Sequence, residues 1–303
     1  MKIAYLHRLG FPETESRFFD EAGKLGIELV PIKYTELRLI EQEIYWRSSR
    51  LSEFDGWYFR AVGTELEWAK LLELYAKKMN IGVVDEYLLT HGPLRRFKSV
   101  MGWQLLEAGV NYPKTSLVKN LDELEKEIVD RNFPLIVKLS QGGRHGMGTF
   151  WIKDHYSLTE LAEKLMARIK NAVAKRKSAP VYQDFLVQDF IENDGDYRVM
   201  VVGYKCIGGY KRAVKEEKLV MNKSVGKSVK LDKVSDEVIE QAERAARALG
   251  VEVAGIDLVK ERHTDKIYVI EVNEAPQFKV FEKRTGVNAA REILLYLQSK
   301  FSQ

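Results

Sequence analysis

The stretch 254–278, AGIDLVKERHTDKIYVIEVNEAPQF, constrains the fold more than any other part of the chain. Two apolar, β-branched runs flank a polar segment, a pattern that predicts an antiparallel hairpin. With the turn centred on Thr264, Asp257 lies directly opposite Glu271, with Cβ atoms roughly 5 Å apart. Side chains alternate along a strand, so Asn273 shares the face of Glu271. Three oxygen-bearing side chains therefore converge on one face of the predicted hairpin.

Two interpretations of this face are open. Two like charges held opposite each other repel, and burial raises the cost further. A Mg²⁺ ion would relieve the repulsion, because it takes one or two carboxylates together with phosphate oxygens. Alternatively, the acids simply face water on a surface hairpin. The hairpin alone does not choose between a metal site and a solvated surface.

Composition places the chain among soluble globular proteins. It has 303 residues, 45% of them hydrophobic and 30% charged, enough to bury a core in two or three subdomains. A single cysteine, Cys206, excludes an internal disulfide. The chain opens without a signal-peptide pattern and has no apolar run of membrane-spanning length, so we expect a cytoplasmic protein without a membrane partner. The net charge of +4 favours anionic ligands such as nucleotides.

The order of strands and helices predicts a mixed α/β and α+β protein in three parts. In residues 1–92 strands alternate with helices, which predicts an open parallel α/β domain. His91-Gly92-Pro93 then breaks the chain. Residues 93–180 predict an α+β unit with a helix from about Leu94 to Ala108. A third unit, residues 181–303, is expected to begin with the strand Val181–Ile191 and to contain the hairpin.

A glycine-rich segment, 141–148, lies between two predicted strands, 134–139 and 149–152. A dinucleotide-binding loop would be followed by a helix, so that interpretation fails. A hairpin lid whose backbone amides close over phosphates fits better, with Gly143, His145 and Gly146 in it. Lys138, on the strand before the lid, would then give a point charge to phosphate oxygens. The alternative is a surface hairpin with an ordinary lysine.

Other polar residues lie at strand ends or alternate with apolar ones. Gln188, Asp189 and Phe190 end an apolar strand whose backbone could hydrogen-bond an adenine edge. The residues Asp196, Arg198 and Arg212 alternate with apolar neighbours on later strands. Arginines directed into a cleft suit carboxylate or phosphate recognition, whereas exposed ones only aid solubility.

Two further observations concern chemistry. Arg60, at the end of a first-domain strand, is expected to face the cleft and to bind an acceptor carboxylate. The five histidines are scattered, with no pair at zinc-ligand spacing and no Ser-His-Asp or Cys-His arrangement. Covalent catalysis by a side chain is therefore not predicted.

Taken together, these segments resemble the ATP-grasp enzymes, and most closely the ribosomal-protein glutamate ligases and lysine-biosynthesis ligases of the RimK-like subgroup. The resemblance spans nearly the whole chain. It rests on Arg96-Phe97-Lys98, Lys138, Val187-Gln188-Asp189-Phe190-Ile191, Asp196-Tyr197-Arg198, Arg212, Asn222, Glu271-Val272-Asn273-Glu274-Ala275-Pro276 and Phe281-Glu282-Lys283-Arg284-Thr285-Gly286.

The resemblance implies an ATP-grasp fold, in which the N-terminal domain is followed by two α+β subdomains that clasp ATP. It implies ligation of a carboxylate to an amine through an acyl phosphate, with ATP and one or two Mg²⁺ (or Mn²⁺) ions as cofactors. The implied metal ligands are Asp257, Glu271 and Asn273, and Arg198 and Arg212 would stabilise the acyl phosphate. The implied ATP-binding residues are Lys98, Lys138, Gly143, Gly146, Gln188, Asp189, Phe190, Asp196 and Asn222. Substrate contacts would come from Arg60 and His145.

The same motifs leave the substrates open. Glutamate or another amino acid could be added to a protein, a peptide tail or a small-molecule cofactor, and a homo-oligomer is compatible with the resemblance. Val220 and Met221 replace an arginine and a serine of the subgroup pattern, so an ATP-binding sensor or regulatory protein is the alternative. The basic run Lys175-Arg176-Lys177 is better explained as a solvated helix end than as a nucleic-acid site.

Overall fold

The computed structural model describes residues 1–8, 12–63, 65–129, 131–140, 149–161, 163, 184–213, 228–229 and 234–302. Strands in this part of the chain form four sheets. None of its helices is long and apolar enough to cross a bilayer.

The N-terminal sheet is parallel, as predicted for an open α/β domain. Its central strands Lys2–His7 and Gly56–Ala61 are flanked by Glu28–Lys33 on one side and by Val83–Val84 on the other. The connecting helices are Pro12–Lys24, Leu66–Met79 and the short Tyr87–Thr90.

A small antiparallel sheet inserted in this domain was not predicted. It comprises Leu37–Ile40, Glu43–Trp46 and Ser49–Arg50, between the 3-10 helices Tyr34–Glu36 and Leu51–Glu53. Its turns place Glu41, Gln42 and Arg47 at positive φ (48°, 66° and 56°). Because glycine or asparagine usually occupies such positions, these turns lack the sequence signal by which hairpins are predicted.

The central sheet is antiparallel and has its own hydrophobic core. Its order is Thr149–Ile152, Leu135–Leu139, Phe185–Asp189 and Thr115–Val118, and the helix Leu121–Val129 covers one face. The strand Phe185–Asp189 thus pairs with strands on the other side of the predicted boundary at residue 180. The sequence pattern predicts this strand at the start of the third unit. An apolar run does not reveal which distant strands it will join, so its pairing with the central strands could not be predicted.

The segment entering the central unit also differs from the predicted single helix beginning near Leu94. The 3-10 helix Pro93–Arg96 ends at Phe97, which has an extended backbone (φ −69°, ψ 134°). The α-helix Lys98–Glu107 begins directly afterwards, so Lys98 is its first residue.

The C-terminal sheet is antiparallel and shares its cores with the N-terminal domain. Its order is Ser228–Val229, Lys205–Ala213, Gly195–Val202, Val253–Lys260 and Ile267–Asn273. The helix Asp236–Ala248 packs on one face together with the N-terminal residues Leu6 and Trp57 in one cluster. On the other face, the helices Lys279–Thr285 and Ala289–Phe301 join a second cluster that includes Tyr5 and Phe18. The first and third parts thus share their cores, whereas the central sheet has a core of its own.

Candidate active site

The hairpin forms with the predicted register at the site. Asp257 pairs with Glu271, and Gly255 pairs with Asn273. The register shifts between Asp257 and Leu258, which pairs with Val269, so a β-bulge lies directly beside Glu271. The two carboxylates and the Asn273 amide therefore share one face of the sheet, as the sequence predicts.

Two arginines of neighbouring strands compensate the charge of Asp257. Arg198 lies opposite Asp257 in the sheet, and its Nη1 is 3.2 Å from Asp257 Oδ1. Arg212 Nη2 donates to the same oxygen at 2.9 Å and also hydrogen-bonds Asp196. Asp257 is only 6% exposed. Since a buried carboxylate is costly unless it is paired, the two guanidinium groups account for its burial.

The absence of a side chain at Gly255 makes this arrangement possible. A Cβ on Gly255 would lie 2.9 Å from Arg198 Nη1 and 2.9 Å from Pro276 Cβ, closer than such atoms normally approach. The Gly255 carbonyl accepts from Arg198 Nη1 at 3.1 Å and from Asn273 Nδ2 at 3.3 Å. Gly255 therefore lets an arginine and the loop after the hairpin meet over the strand, a role that sequence analysis missed.

Lysines of the central unit face these carboxylates. Lys138 alternates with core residues of its strand, so its side chain points to the opposite face of the sheet. The pKa of Lys138 is lowered to about 8, mainly because the side chain is buried; the charge of Glu271 raises it, that of Lys98 lowers it and that of Asp257 raises it. These charges therefore interact. The structure brings the two lysines and two carboxylates together from two units of the chain.

The face of the central sheet that carries Lys138 has a row of cross-strand neighbours. Trp151, Ile136, Gln188 and Thr115 are paired successively across four strands. Gln188 is 2% exposed, and its Nε2 donates to Thr115 Oγ1 at 2.8 Å. Gln188 is thus part of the wall of this face.

At the end of the strand Phe185–Asp189, called the hinge strand from here on, successive side chains point to opposite faces of the sheet. The rings of Phe190 and Trp151 lie 5.8 Å apart on the lysine-bearing face. The Asp189 carboxylate points the other way and accepts from Arg131 Nη1 at 2.8 Å. An adenine contact by Asp189 would therefore use its backbone, as the strand-end prediction requires. Trp151 could have been found from strand alternation, but Arg131 left no sequence signal.

Arg60 does not face an open cleft. It is 2% exposed, and its Nη2 donates to the Pro276 carbonyl at 2.8 Å. The loop after the hairpin thus folds back onto the strand that carries Arg60, and the binding of an acceptor carboxylate by Arg60 stays a prediction. Four other predicted residues, Gly143, His145, Gly146 and Asn222, lie outside the described residues.

The donor set fits a cation that is shared with phosphate. Within the described ranges no group of three or more His, Cys, Asp or Glu side chains is placed to hold a metal. Two carboxylates and one amide oxygen, from Asp257, Glu271 and Asn273, are instead what Mg²⁺ uses when phosphates and water complete its shell.

Solved structures with this fold cover nearly the whole chain. The crystal structure of the RimK domain protein ATP-grasp from Sphaerobacter thermophilus DSM 20745 has a TM-score of 0.71 and 17% identity, covering 98% of this chain and 99% of that one. The ATP-grasp ligase PsnB complexed with precursor peptide PsnA2 and AMPPNP has a TM-score of 0.69 and 15% identity, over 99% and 97%. D-alanine–D-alanine ligase from Bacillus anthracis complexed with ATP has a TM-score of 0.64 and 16% identity, over 100% and 97%. These likenesses establish the ATP-grasp fold.

Sequence comparison narrows the family. A probable alpha-L-glutamate ligase of Legionella pneumophila (strain Corby) is 27% identical over 309 residues, covering 99% of this chain and 96% of that protein. A probable alpha-L-glutamate ligase of Pseudomonas fluorescens (strain SBW25) is 26% identical over 307 residues, covering 98% and 95%. The model of the RimK-like ATP-grasp domain matches residues 96–297. The chain therefore belongs to the RimK-like ATP-grasp family of ADP-forming carboxylate–amine ligases.

Proposed function

We propose that this ligase joins the amine of an amino acid, with glutamate as the first candidate, to a carboxylate of a protein, peptide or cofactor. The observation that carries the proposal is the meeting of the oxygen donors Asp257, Glu271 and Asn273 on one face of the hairpin with Arg198 and Arg212, which both contact Asp257. Cations that bind phosphate and oxygen donors that bind Mg²⁺ are the groups that phosphoryl transfer needs. The names of the glutamate-ligase relatives support glutamate as the donor of the amine.

The first half-reaction makes an acyl phosphate. The substrate carboxylate attacks the γ-phosphorus of ATP, the bond to the β,γ-bridging oxygen breaks, and ADP leaves. Lys98 and Lys138 would hold phosphate oxygens in line for this attack. Mg²⁺ bound by Asp257, Glu271 and Asn273 would neutralise negative charge on the phosphates. Positioning and charge neutralisation supply most of the catalysis in such transfers.

The second half-reaction forms the amide. The amine attacks the acyl carbon, the C–O bond to phosphate breaks, and the amine loses a proton. Arg198 and Arg212, which meet at Asp257, would stabilise negative charge on the acyl phosphate and on the tetrahedral species that follows. The apolar wall around Trp151 and Phe190 would limit access of water to the nucleotide.

The proposal is tested by incubating the protein with ATP, Mg²⁺ and pools of amino acids, peptides and carboxylated cofactors. We expect ADP and phosphate release that depends on both an amino acid and a carboxylate acceptor, with a matching mass increase of the acceptor. Glu271→Gln should abolish this turnover. Glu261→Gln, at the turn of the same hairpin, should not, because the Glu261 carboxylate accepts from the turn amides of His263 and Thr264. Full turnover in Glu271→Gln would refute the metal assignment.

The alternative is an ATP-binding sensor that retains the fold without ligation. Val220 and Met221, in place of the arginine and serine of the subgroup pattern, motivate it. ATP binding with no phosphate release against any acceptor pool would favour the sensor over the ligase.

A further inference from the structure

A hydrogen-bond network centred on Arg131 lies on the helix-covered face of the central sheet. The Arg131 side chain is only 7% exposed. Its Nε donates to Glu127 Oε1 at 2.9 Å, and its Nη2 donates to Ser116 Oγ at 2.6 Å. Its Nη1 donates to Asp189 Oδ1 at 2.8 Å. One guanidinium group therefore joins the covering helix to two strands of the sheet.

The position of Asp189 gives this network its importance. Asp189 is the last residue of the strand Phe185–Asp189 that pairs with its neighbours, and beyond it the chain leaves the sheet. Its backbone N–H donates to the Lys114 carbonyl at 3.1 Å. Successive side chains point to opposite faces, so the rotation that aims Asp189 at Arg131 also aims Phe190 at Trp151. Holding the Asp189 carboxylate thus fixes Phe190 on the face of the sheet that carries Lys138.

Arginine suits this task better than any other residue. Its planar guanidinium presents donors in a rigid fork, so it can bond three acceptors in one geometry. Two of the acceptors, Glu127 and Asp189, are carboxylates, and charge-assisted bonds are the strong ones. Because Arg131 is almost fully covered, water does not compete well for these donors. A lysine would supply the charge without the fork.

We propose that Arg131 is a positioning residue that sets the end of the hinge strand for the nucleotide base and so determines selectivity for adenine. The proposal rests on the proposed function, because it assumes that the Phe190 side of this strand contacts the base. Arg131 lies on the opposite face of the sheet from Lys138. It therefore acts through Asp189 and not by touching the nucleotide.

The test compares Arg131→Ala and Arg131→Lys with the unmodified protein. We expect Arg131→Ala to raise the KM for ATP about tenfold and to lower the ratio of kcat/KM for ATP over GTP by a similar factor. The kcat at saturating ATP should change by less than about twofold, because the reacting groups are untouched. Arg131→Lys should show the same pattern, because its ammonium cannot replace the fork.

Chemical rescue gives a readout that a merely structural role would not move. A surface cavity of about 480 Å³ borders Arg131 and is also lined by Ser116 and Glu127. Free guanidinium ion can enter this cavity and occupy the hole in Arg131→Ala. We expect guanidinium chloride at tens of millimolar to restore the base preference of Arg131→Ala, whereas sodium chloride at equal ionic strength should not.

Matched variants separate positioning from anchoring. Glu127→Gln removes the ion pair to the helix but keeps the bond to Asp189, so its KM for ATP should stay at the unmodified value. Asp189→Asn should resemble Arg131→Ala, and the double variant should be no worse than either single one. A folded Arg131→Ala with unchanged KM and unchanged base preference would overturn the proposal, as would an equal effect of Glu127→Gln. Should Arg131→Ala fail to fold, Arg131→Lys decides by the same criteria.

The binding of fluorescent ATP and GTP analogues keeps the test independent of ligation. An unmodified protein that binds ATP but releases no phosphate would refute the ligase function alone. Loss of adenine preference on substitution of Arg131 would still support the positioning role in that case, and an unchanged preference would refute it.

Discussion

Replacing Gly255 by alanine tests the geometry of the site most directly. The added Cβ would lie 2.9 Å from Arg198 Nη1, 3.5 Å from Arg198 Cζ and 2.9 Å from Pro276 Cβ. Arg198 can move away because its end is flexible, but it would then lose its 3.2 Å contact with Asp257 and its 3.1 Å bond to the Gly255 carbonyl. Pro276 can move only if the loop after the hairpin moves with it.

The size of the effect follows from overpacking and from displacement of Arg198. Inserting one methyl group into a packed site costs about 1–3 kcal/mol in the free energy of unfolding. For a chain of this length that is a fall in Tm of roughly 2–6 °C. Displacement of a charge-stabilising group by about 1 Å can lower the rate up to a hundredfold, so we expect kcat/KM to fall between about tenfold and a hundredfold.

The matched control is Gly23→Ala, the same chemical change at an exposed position of the helix Pro12–Lys24. A Cβ there meets no atom within 4 Å, so alanine should leave activity unchanged and stabilise the helix by up to about 1 kcal/mol. Thermal unfolding and initial-rate measurements compare the two variants. A Gly255→Ala protein with the Tm and kcat/KM of the unmodified protein would refute the conclusion that the site needs glycine at position 255.

Four further predictions concern charged residues at and beside the site. The Kd for ATP should rise as the pH is raised through about 8, because Lys138 then loses its proton. Calorimetric titrations with ATP measure this dependence, and Lys138→Met should lack it. Between pH about 8 and the ordinary lysine pKa of 10.5, Lys138 holds its proton in the unfolded state but not in the native state. The free energy of unfolding should therefore rise with pH over this range. A flat pH profile in urea titrations would contradict the lowered pKa. Asp257→Asn should lower the free energy of unfolding by about 3–5 kcal/mol in metal-free buffer, since Arg198 and Arg212 lose their shared anion. An unchanged urea midpoint would show that these two ion pairs contribute nothing to stability. Arg60→Met should lower the free energy of unfolding by about 1–3 kcal/mol and reduce ligase turnover, because the Pro276 carbonyl loses its buried donor. A loss of stability without any loss of turnover would show that the loop after the hairpin does not contribute to catalysis.

Local pattern determined the hairpin and much of the secondary structure. Alternation of apolar and polar residues around a short turn fixes which residues face each other, so Asp257 and Glu271 could be paired from the sequence. The strand Thr149–Ile152 likewise begins and ends where the sequence pattern predicts it. The turns at Glu41 and Arg47 escaped prediction because their residues rarely adopt positive φ.

Only the tertiary structure decided what surrounds the hairpin. Arg131 bonds Asp189 across 58 residues, and Arg60 bonds Pro276 across 216. The strand Phe185–Asp189 could not be assigned to the central sheet before its partners were seen. Such contacts leave no periodic signal, because they depend on how separate units pack and not on the spacing of residues along the chain. The sequence by itself thus determined the register of the hairpin and the family chemistry, while packing determined how arginines and lysines from distant segments approach that hairpin.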